Sequence, residues 1–364
     1  MSAITNIQRP LEIKPGANRK DAAAEQIKHY IRSNRLSPGE RLPTVRKLSD
    51  HFDVSRDAVW RALRQLQAED WLDLLPNKRY MISEKLYKSV LTSLNVKAVF
   101  SGKRYIYFSG FRRLADALSK ECHYHNIDLR IELLPLDTDP SKSIWEDCDL
   151  LMIDSDSSGR LLDTFKNFPV PVIGLDAIYS ERYKANIVTD HHLGGRMAAE
   201  AMLHRKAKEA IVVYHVGSEN NPRVSARIDG FRQTWMEGGR SRESLTLAPI
   251  EWSRSSFEIA LKVQDFLKKN PAHDSYFVTD GRLATNFLEV LSYLNVQVPE
   301  KVGLIGYDGA QRGELTDPPM TTIQQDMDKI AQCAVSWVRA IASGDERSGV
   351  LERIPPLLIE RDSY

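Results

Sequence analysis

Polar side chains recur directly after short apolar runs in the last two thirds of the chain. They are Asp154, Asp176, the segment 215–221, Glu251 with Trp252, Thr279 with Asp280, and Asp308. Carboxylates and hydroxyls hydrogen-bond to ligand hydroxyls, and an aromatic ring packs against the apolar face of a sugar. We therefore predict a site for a polyhydroxylated small molecule. Any one of these aspartates could instead cap a helix, so the prediction depends on the whole set.

The apolar runs alternate with segments of helical periodicity, and this alternation predicts the elements that position the polar residues. The predicted strands form two series, 105–108, 129–133, 150–153 and 172–175, then 210–214, 245–250, 275–278 and 302–307. Strands that alternate with helices form parallel sheets covered by helices on both faces. Two series of similar size predict an α/β fold with two lobes and a cleft, where a ligand lies beyond the carboxyl ends of the strands.

Residues 20–84 carry a different pattern, which predicts three short helices followed by a two-stranded hairpin. The first helix is expected at about 21–34, and Thr44 and Ser55 are placed to cap the second and third helices. The hairpin is expected over 71–82. Three helices and a hairpin of this size can form a small domain of their own.

The third helix of this region separates apolar side chains from basic ones. The two faces consist of Val59, Leu63 and Leu66, and of Trp60, Arg61 and Arg64. Such a helix suits the major groove of DNA, although a three-helix bundle with a solvated charged face is the alternative. The region has 12 Lys and Arg against 10 Asp and Glu, a net charge of +2. DNA binding would therefore depend on where the cations lie.

Two motifs with fixed spacings run through the same region. They read Pro38-Gly39-x-x-Leu42-Pro43-x-x-Arg46-x-Leu48 and Val54-Ser55-Arg56-x-x-Val59-x-x-Ala62-Leu63-x-x-Leu66. This pattern resembles the GntR (gluconate repressor) family of bacterial regulators, which implies a winged helix-turn-helix domain that binds DNA. The family's arginines that contact phosphates and bases correspond to Arg46 and Arg56.

The chain departs from that family at two places on the expected DNA surface. Trp60 stands where the family often has a further arginine, and the wing tip reads Pro76-Asn77-Lys78-Arg79 instead of being glycine-rich. Lysine and arginine at the tip would meet phosphates or the minor groove. The DNA-contact candidates are Arg46, Arg56, Trp60, Arg61, Lys78 and Arg79.

Further motifs follow along the rest of the chain. They read Val188-x-Asp190-x-x-x-Gly194-Gly195, Ser225-x-Arg227-x-x-Gly230-Phe231, Pro299-x-x-Val302-x-Leu304-Ile305-Gly306-Tyr307-Asp308, Thr321-Thr322-Ile323-x-Gln325 and Leu358-Ile359-x-Arg361-x-Ser363. Their types and order resemble the LacI (lactose repressor) effector-binding domain. The resemblance implies the two-lobed fold of periplasmic sugar-binding proteins, with crossovers near 180–188, 308 and 325.

The same resemblance implies roles for individual residues. Arg227 would donate several hydrogen bonds to ligand oxygens, Asp308 would accept from adjacent hydroxyls, and Trp252 would stack on the ligand. Asp176 is expected to contribute from the other lobe. The ligand-binding candidates are Asp176, Arg227, Trp252, Thr279, Asp280, Asp308 and Gln325. Thr279 stands where the family commonly has asparagine.

Together the two resemblances imply a ligand-responsive bacterial transcription regulator. It would be a repressor that binds a palindromic operator as a homodimer and responds to a small molecule, expected to be a sugar. The combination of domains is similar to that of the arabinose repressors of Gram-positive bacteria, which makes a pentose the first expectation. The alternatives are a cytosolic sugar-binding module and a sugar-handling enzyme. No motif for an activated nucleophile supports the enzyme.

Composition fits a globular protein of the cytoplasm, with 42% apolar and 27% charged residues and a net charge of +1. Apolar runs fall short of the about 18 residues that span a membrane, and residues 1–19 lack the apolar core of a signal peptide. The three cysteines lack CxxC spacing, so we expect reduced thiols, no metal and no cofactor. The resemblance to the LacI effector-binding domain implies that the pair His191-His192 begins a helix near the crossovers, so we do not expect the pair to bind a metal.

At 364 residues the chain is too long for one typical core, and we expect it to divide into four segments. A flexible tail would cover 1–19, the winged helix-turn-helix domain 20–84 and a linker 85–102. A LacI-type domain for effector binding and dimerisation would cover 103–364.

Overall fold

The computed structural model describes residues 23–24, 26–28, 30–31, 36, 38–76, 78–85, 94–102, 109–134, 142–177, 179–270, 274–309 and 313–364. The expected tail 1–19 and the expected strand 105–108 lie outside these residues. The chain forms two compact units, the first from residues 1–187 and 331–351 and the second from residues 188–330 and 352–364. No helix in the described part of the chain is long and apolar enough to cross a membrane.

The N-terminal module contains the expected helix pair and hairpin. Its elements are α1 (Val45–Phe52), α2 (Arg56–Ala68), β1 (Leu72–Leu74) and β2 (Tyr80–Ile82). Thr44 and Ser55 are the helix caps, as expected, because their hydroxyls accept hydrogen bonds from the amides of Lys47 and Ala58 at 3.4 and 3.2 Å. The left-handed Asp53 (φ 52°) ends α1 and makes the turn into α2.

A small apolar core holds this module together. The side chains predicted to face inward are buried, and they include Leu48, Phe52, Val59, Leu63 and Leu66. Ala23, Ala24, Ile27 and Ile31 of the expected first helix pack into the same core. Because the core takes one face of α2, the opposite face is left to solvent.

A six-stranded sheet follows. Its strands are β3 (Asn95–Ser101), β4 (Asp128–Leu134), β5 (Leu150–Asp154), β6 (Val172–Leu175), β7 (Ala185–Thr189) and β13 (Val350–Ile354). Their order in the sheet is β13-β7-β6-β5-β3-β4. The helices α3 (Ser109–Tyr124) and α4 (Ser155–Thr164) connect strands of this sheet. The expected linker 85–102 is wrong for its second half, because β3 pairs with both β4 and β5.

A second sheet also has six strands. They are β8 (Ala210–His215), β9 (Leu245–Ile250), β10 (Ser275–Val278), β11 (Gly303–Tyr307), β12 (Thr321–Gln324) and β14 (Leu357–Ile359). Their order in the sheet is β14-β12-β11-β10-β8-β9. All its pairs are parallel except β12 with β14. The expected crossover near 308 is wrong, because β11 and β12 are neighbours in this sheet; the third crossover falls at 351/352.

Helices cover both faces of the second sheet. The helices are α5 (His191–His204), α6 (Pro222–Glu237), α7 (Ser256–Lys269) and α8 (Gly281–Tyr293), and α9 (Met327–Ala342) follows β12. Side chains of α5 and α6 share one core cluster with the sheet, and those of α7 and α8 share another. Strands buried on both faces are near-continuously apolar, as in Ala210–Tyr214 of β8.

Glycines let α5 and α6 approach each other until their backbones touch. A Cβ atom added to Gly195 would lie 1.9 Å from the carbonyl oxygen of Arg227, and one added to Gly230 would lie 2.0 Å from that of His192. Both contacts are with backbone atoms, which cannot rotate away. The close approach at Gly195 and Gly230 therefore sets how deeply α6 carries Arg227 into the second unit.

We expect Gly195→Ala to lower the free energy of unfolding by about 1–3 kcal/mol, because the added methyl group must push the two helices apart. Glu200→Ala, at an exposed position of the same helix, serves as the control and should change it by less than about 0.5 kcal/mol. Urea unfolding followed by circular dichroism measures both. Equal stability of Gly195→Ala and the wild type would contradict the close helix contact.

Candidate functional site

Six of the seven predicted ligand-binding residues belong to the second unit. They are Arg227 on α6, and Trp252, Thr279, Asp280, Asp308 and Gln325 just beyond the carboxyl ends of β9, β10, β11 and β12. The seventh, Asp176, follows β6 in the first unit, where its backbone is left-handed (φ 49°) and its amide donates to Ile187 at 2.7 Å. Its role in ligand binding stays a prediction.

Asp308 is held by both backbone and side-chain hydrogen bonds. Its backbone is left-handed (φ 65°), and its amide donates to the carbonyl of Ile323 at 2.8 Å. Its carboxylate accepts from the backbone amide of Gln325 at 3.2 Å and from the Gln325 side-chain amide at 2.6 Å. The Gln325 carbonyl in turn accepts from the hydroxyl of Thr189 at 2.8 Å. Asp308 is therefore a carboxylate held in position by Gln325.

Arg227 is a buried cation, with 8% of its surface exposed. Its Nη1 atom donates to the carbonyl oxygen of Thr279 at 2.7 Å, and its Nη2 atom lies 3.7 Å from the Asp308 carboxylate. The guanidinium carbon lies 3.5 Å from the centroid of the Tyr307 ring, a cation–π contact. A buried charge needs such partners because it has lost its water.

His191 and Tyr307 complete this cluster, and sequence reasoning missed them as site residues. The Nδ1 atom of His191 lies 3.3 Å from Nε and 3.2 Å from Nη2 of Arg227, and 2.9 Å from the Tyr307 hydroxyl. His191 begins α5, as expected. Both residues lie inside motifs that were recognised, one after Asp190 and the other before Asp308. That adjacency was the available signal.

Thr279 and Asp280 serve the fold as well as the site. The Thr279 hydroxyl donates to the carbonyl of Val213 at 3.1 Å, so its carbonyl group, and not its side chain, contacts Arg227. Asp280 caps α8 by accepting from the amide of Leu283 at 2.9 Å. The helix-capping alternative therefore holds for Asp280.

His215 lies beside Asp280, with Nε2 3.7 Å from the carboxylate. Burial raises the pKa of Asp280. The neighbouring His215 imidazole, the Leu283 amide and the Arg282 guanidinium together lower that pKa by more than burial raises it, so the pKa lies below its ordinary value. Asp280 is therefore a carboxylate at neutral pH.

Trp252 follows β9, at the same edge of the second sheet as the cluster around Arg227, and presents an indole surface. It is 41% exposed, and the Arg282 guanidinium lies 5.4 Å from the centroid of its ring. Arg282 also donates to the carbonyls of Ser253 and Arg254, which fixes the loop after β9. An exposed, supported ring is suited to stacking on a ligand.

The cluster combines hydrogen-bond donors, acceptors and an aromatic surface, each held in place by its neighbours. The Asp308 carboxylate is engaged by Gln325 and Arg227, and the Arg227 guanidinium by Thr279, His191 and Tyr307. Groups that are held in this way provide fixed directions for ligand hydroxyls. Donors and acceptors fixed in this way suit a polar ligand, and ligand binding by these residues stays a prediction.

We expect Asp308→Asn to lower the free energy of unfolding by about 1–3 kcal/mol, because the buried Arg227 loses its nearest carboxylate while the shape is kept. Asp265→Asn, an exposed aspartate of α7, is the matched control and should change it by less than about 0.5 kcal/mol. Denaturant unfolding compares the two. A cost no larger than that of the control would show that Asp308 and Arg227 are not coupled.

The predicted DNA-contact residues lie at exposed positions of the N-terminal module. The Nε atom of Arg46 lies 3.9 Å from the Asp50 carboxylate, and the Nη2 atom of Arg61 lies 2.5 Å from the Asp57 carboxylate. Both ion pairs are exposed and therefore contribute little to stability. Arg56 stands at the start of α2, one turn before Trp60. In the described chain Arg56 forms no ion pair, so its charge is available to a phosphate.

Trp60 joins the exposed face of α2 to the wing. Its ring packs edge-on against Tyr80 of β2, with 6.2 Å between centroids, and the residue is 38% exposed. At the wing tip Lys78 is left-handed (φ 58°), and its amide donates to Leu75 at 2.9 Å. Arg79 follows directly and is exposed. Lys78 thus adopts the conformation for which glycine is favoured in wings of this kind.

Comparison with known proteins assigns both parts of the chain. Residues 19–82 match the family described as bacterial regulatory proteins, gntR family, and residues 199–364 match the periplasmic binding protein-like domain. The chain therefore joins a GntR-type helix-turn-helix domain to a periplasmic binding protein-like domain. Both resemblances seen in the sequence motifs are confirmed.

Individual relatives match this chain over different lengths. The arabinose metabolism transcriptional repressor of Geobacillus stearothermophilus is 22% identical over 362 residues, covering 93% of this chain and 95% of that protein. The sucrose operon repressor of Streptococcus mutans is 26% identical, but the match covers 50% of this chain and 53% of that protein. The chain thus spans about half of the latter relative.

A solved structure confirms the fold of the larger part. The LacI family transcriptional regulator from Enterococcus faecium, with bound ribose, aligns with a TM-score of 0.62 at 20% identity. The alignment covers 74% of this chain and 98% of that one. The two-lobed α/β fold with parallel sheets is therefore that of LacI-type effector domains.

Proposed function

We propose that the chain is a bacterial transcriptional repressor that binds palindromic operator DNA as a homodimer and is controlled by a sugar. The observation that carries this proposal is the cluster in which the Asp308 carboxylate accepts from Gln325 and lies 3.7 Å from Arg227, in a chain that also carries a GntR-type helix-turn-helix domain. A regulator of this kind acts in the cytoplasm, where the operator is. It is not an enzyme under this proposal.

The exposed face of α2 supports DNA binding. Arg56 at its start and Arg64 two turns later lie on either side of Trp60, and both arginines are exposed. A helix with this face would enter the major groove, while Arg46, Lys78 and Arg79 would reach phosphates on either side. The low net charge of the module means that affinity would require two modules on two half-sites.

The polar cluster supports a sugar as the effector. Asp308 offers carboxylate oxygens, Arg227 offers a planar fork of N–H groups, and Trp252 offers an exposed ring. Relatives that share the layout or fold are named for arabinose and sucrose or are solved with ribose. We therefore place a pentose first, with Asp176 and Asp280 as further contact candidates.

Exposed apolar side chains on one face of the second sheet support a homodimer. Phe257 and Leu261, 72% and 48% exposed, lie one turn apart on α7, and Tyr293 at the end of α8 is 75% exposed. Both helices cover the same face of the sheet. Apolar side chains exposed to this degree on neighbouring helices are typical of a surface that a second copy covers.

Sugar control requires that the sugar bind the DNA-competent and the DNA-incompetent states with different affinities. A complete switch, from 1:99 to 99:1, requires a difference of about 5.5 kcal/mol. We propose that the sugar releases the operator.

We expect Arg56→Ala to weaken operator binding at least tenfold, because it removes a charge-assisted contact at the start of the recognition helix. Arg242→Ala removes an exposed charge from the second unit and should leave DNA affinity unchanged. Gel shifts with DNA selected from a random library by the wild-type protein measure both. Equal shifts for Arg56→Ala and the wild type would remove α2 from the interface, and failure to select any DNA would favour a sugar-binding module.

We expect a pentose at 100 times its Kd to stabilise the protein by about 2.7 kcal/mol, seen as a rise in Tm. The panel contains arabinose, ribose, glucose and sucrose. Arg227→Lys keeps the charge but loses the fork, and should remove the shift while operator binding remains. An undiminished shift in Arg227→Lys would exclude Arg227 from the site, and turnover of a bound sugar would revive the enzyme alternative.

A further inference from the structure

One nitrogen atom of the buried His191 lies within reach of three hydrogen-bond donors. Nδ1 is 3.3 Å from Nε and 3.2 Å from Nη2 of Arg227, and 2.9 Å from the hydroxyl oxygen of Tyr307. His191 is 5% exposed and Arg227 8% exposed, so water cannot readily replace these contacts. The positions of the protons in this group determine whether it is stable.

The arginine settles where those protons are. A guanidinium has only donors and does not lose its charge in proteins. Its Nε and Nη2 atoms therefore both point N–H groups at Nδ1 of His191. Nδ1 must then carry a lone pair. An imidazole with a lone pair on Nδ1 carries its proton on Nε2 and is neutral. The Tyr307 hydroxyl can donate to the same atom.

We propose that His191 is a positioning residue of the ligand site, and that its neutral, Nε2-protonated form holds the guanidinium of Arg227 in the orientation that receives the ligand. The inference deepens the proposed function and rests on it for the identity of the site. Among the contacts that the structure describes, the charged and titratable groups that face His191 include Arg227 from α6 and Tyr307 from the end of β11, with Asp308 behind the guanidinium.

Protonation of His191 reverses the direction of these contacts. With a proton on Nδ1, the ring is a cation whose N–H group faces the N–H groups of Arg227, and the two side chains repel each other. The Tyr307 hydroxyl can rotate and accept from the ring, but the guanidinium cannot. Arg227 then keeps its contacts with Thr279 and Asp308 and loses those that Nε and Nη2 make with His191. Ligand affinity is therefore full where His191 is neutral and falls as the pH is lowered through its titration.

The chain offers variants that separate the lone pair from the charge. His191→Asn places a carbonyl oxygen near the position of Nδ1, so it can accept from Arg227 but cannot titrate. His191→Leu fills the space without an acceptor. His192→Asn alters the next residue, which is exposed, and serves as the matched control.

The first test uses the full-length protein without ligand. Nuclear magnetic resonance of protein labelled with ¹⁵N in histidine and arginine reports both the ring nitrogens and the Nε–H group of Arg227. The His191 signals are assigned by their loss in His191→Asn. We expect an unprotonated Nδ1 and a protonated Nε2 at neutral pH, and an Arg227 Nε–H that exchanges at least tenfold faster in His191→Leu but not in His191→Asn or His192→Asn. A protonated Nδ1, or equal exchange in the leucine variant, would overturn the proposal.

The second test measures the affinity of ribose, arabinose, glucose and sucrose by calorimetry between about pH 5.5 and 8. For whichever sugar binds, we expect the wild type and His192→Asn to weaken at least fivefold toward acid pH and His191→Asn to stay constant. The same acid weakening in His191→Asn would show that another group is responsible. If no sugar binds, the proposed effector class fails, while the ligand-free exchange of Arg227 still decides the role of His191.

Discussion

The buried positive charge of Arg227 is the constraint on which the second unit depends. A cation removed from water is costly unless other groups replace its hydration, and here each replacement comes from a different element. The carbonyl of Thr279 follows β10, the Tyr307 ring and the Asp308 carboxylate end β11, and His191 begins α5. The glycine contact between α5 and α6 sets the depth at which the guanidinium meets them. Folding of this unit and construction of the site are therefore one event.

The N-terminal module follows a different physical logic. Its net charge is small and its best-placed arginines lie on the surface, so its stability comes from the apolar core under α1 and α2 and not from charge pairs. The positions of the exposed arginines and lysines are therefore not required for the stability of the module. Trp60 is an exception, because its contact with Tyr80 makes one exposed side chain part of both the recognition helix and the wing.

Local signals in the sequence predicted much of the fold and several residues of the candidate cluster around Arg227. Thr44 and Ser55 were recognised as caps because capping depends on residues three positions apart, and the buried strands were recognised as apolar runs. The linker failed for the opposite reason: β3 is a strand because it pairs with β4 and β5, far along the chain. His191 and Tyr307 were missed because their contact joins positions 116 residues apart, and no spacing motif encodes it. The expected crossover near 308 failed because Asp308 ends a strand whose neighbour, β12, belongs to the same sheet.

Two hydrogen bonds at the edge of the cluster have a mechanical meaning. The chain passes between the two units at three places, after residues 187, 330 and 351, and two hydrogen bonds within the second unit join the segments next to these places. Thr189 donates to Gln325, and the amide of Asp190 donates to the carbonyl of Ile354. The segments next to the second and third connections are thus hydrogen-bonded to Thr189 and Asp190, which follow the first connection and precede α5. A bound molecule that moved the Gln325 side chain would therefore act on the segments next to all three connections.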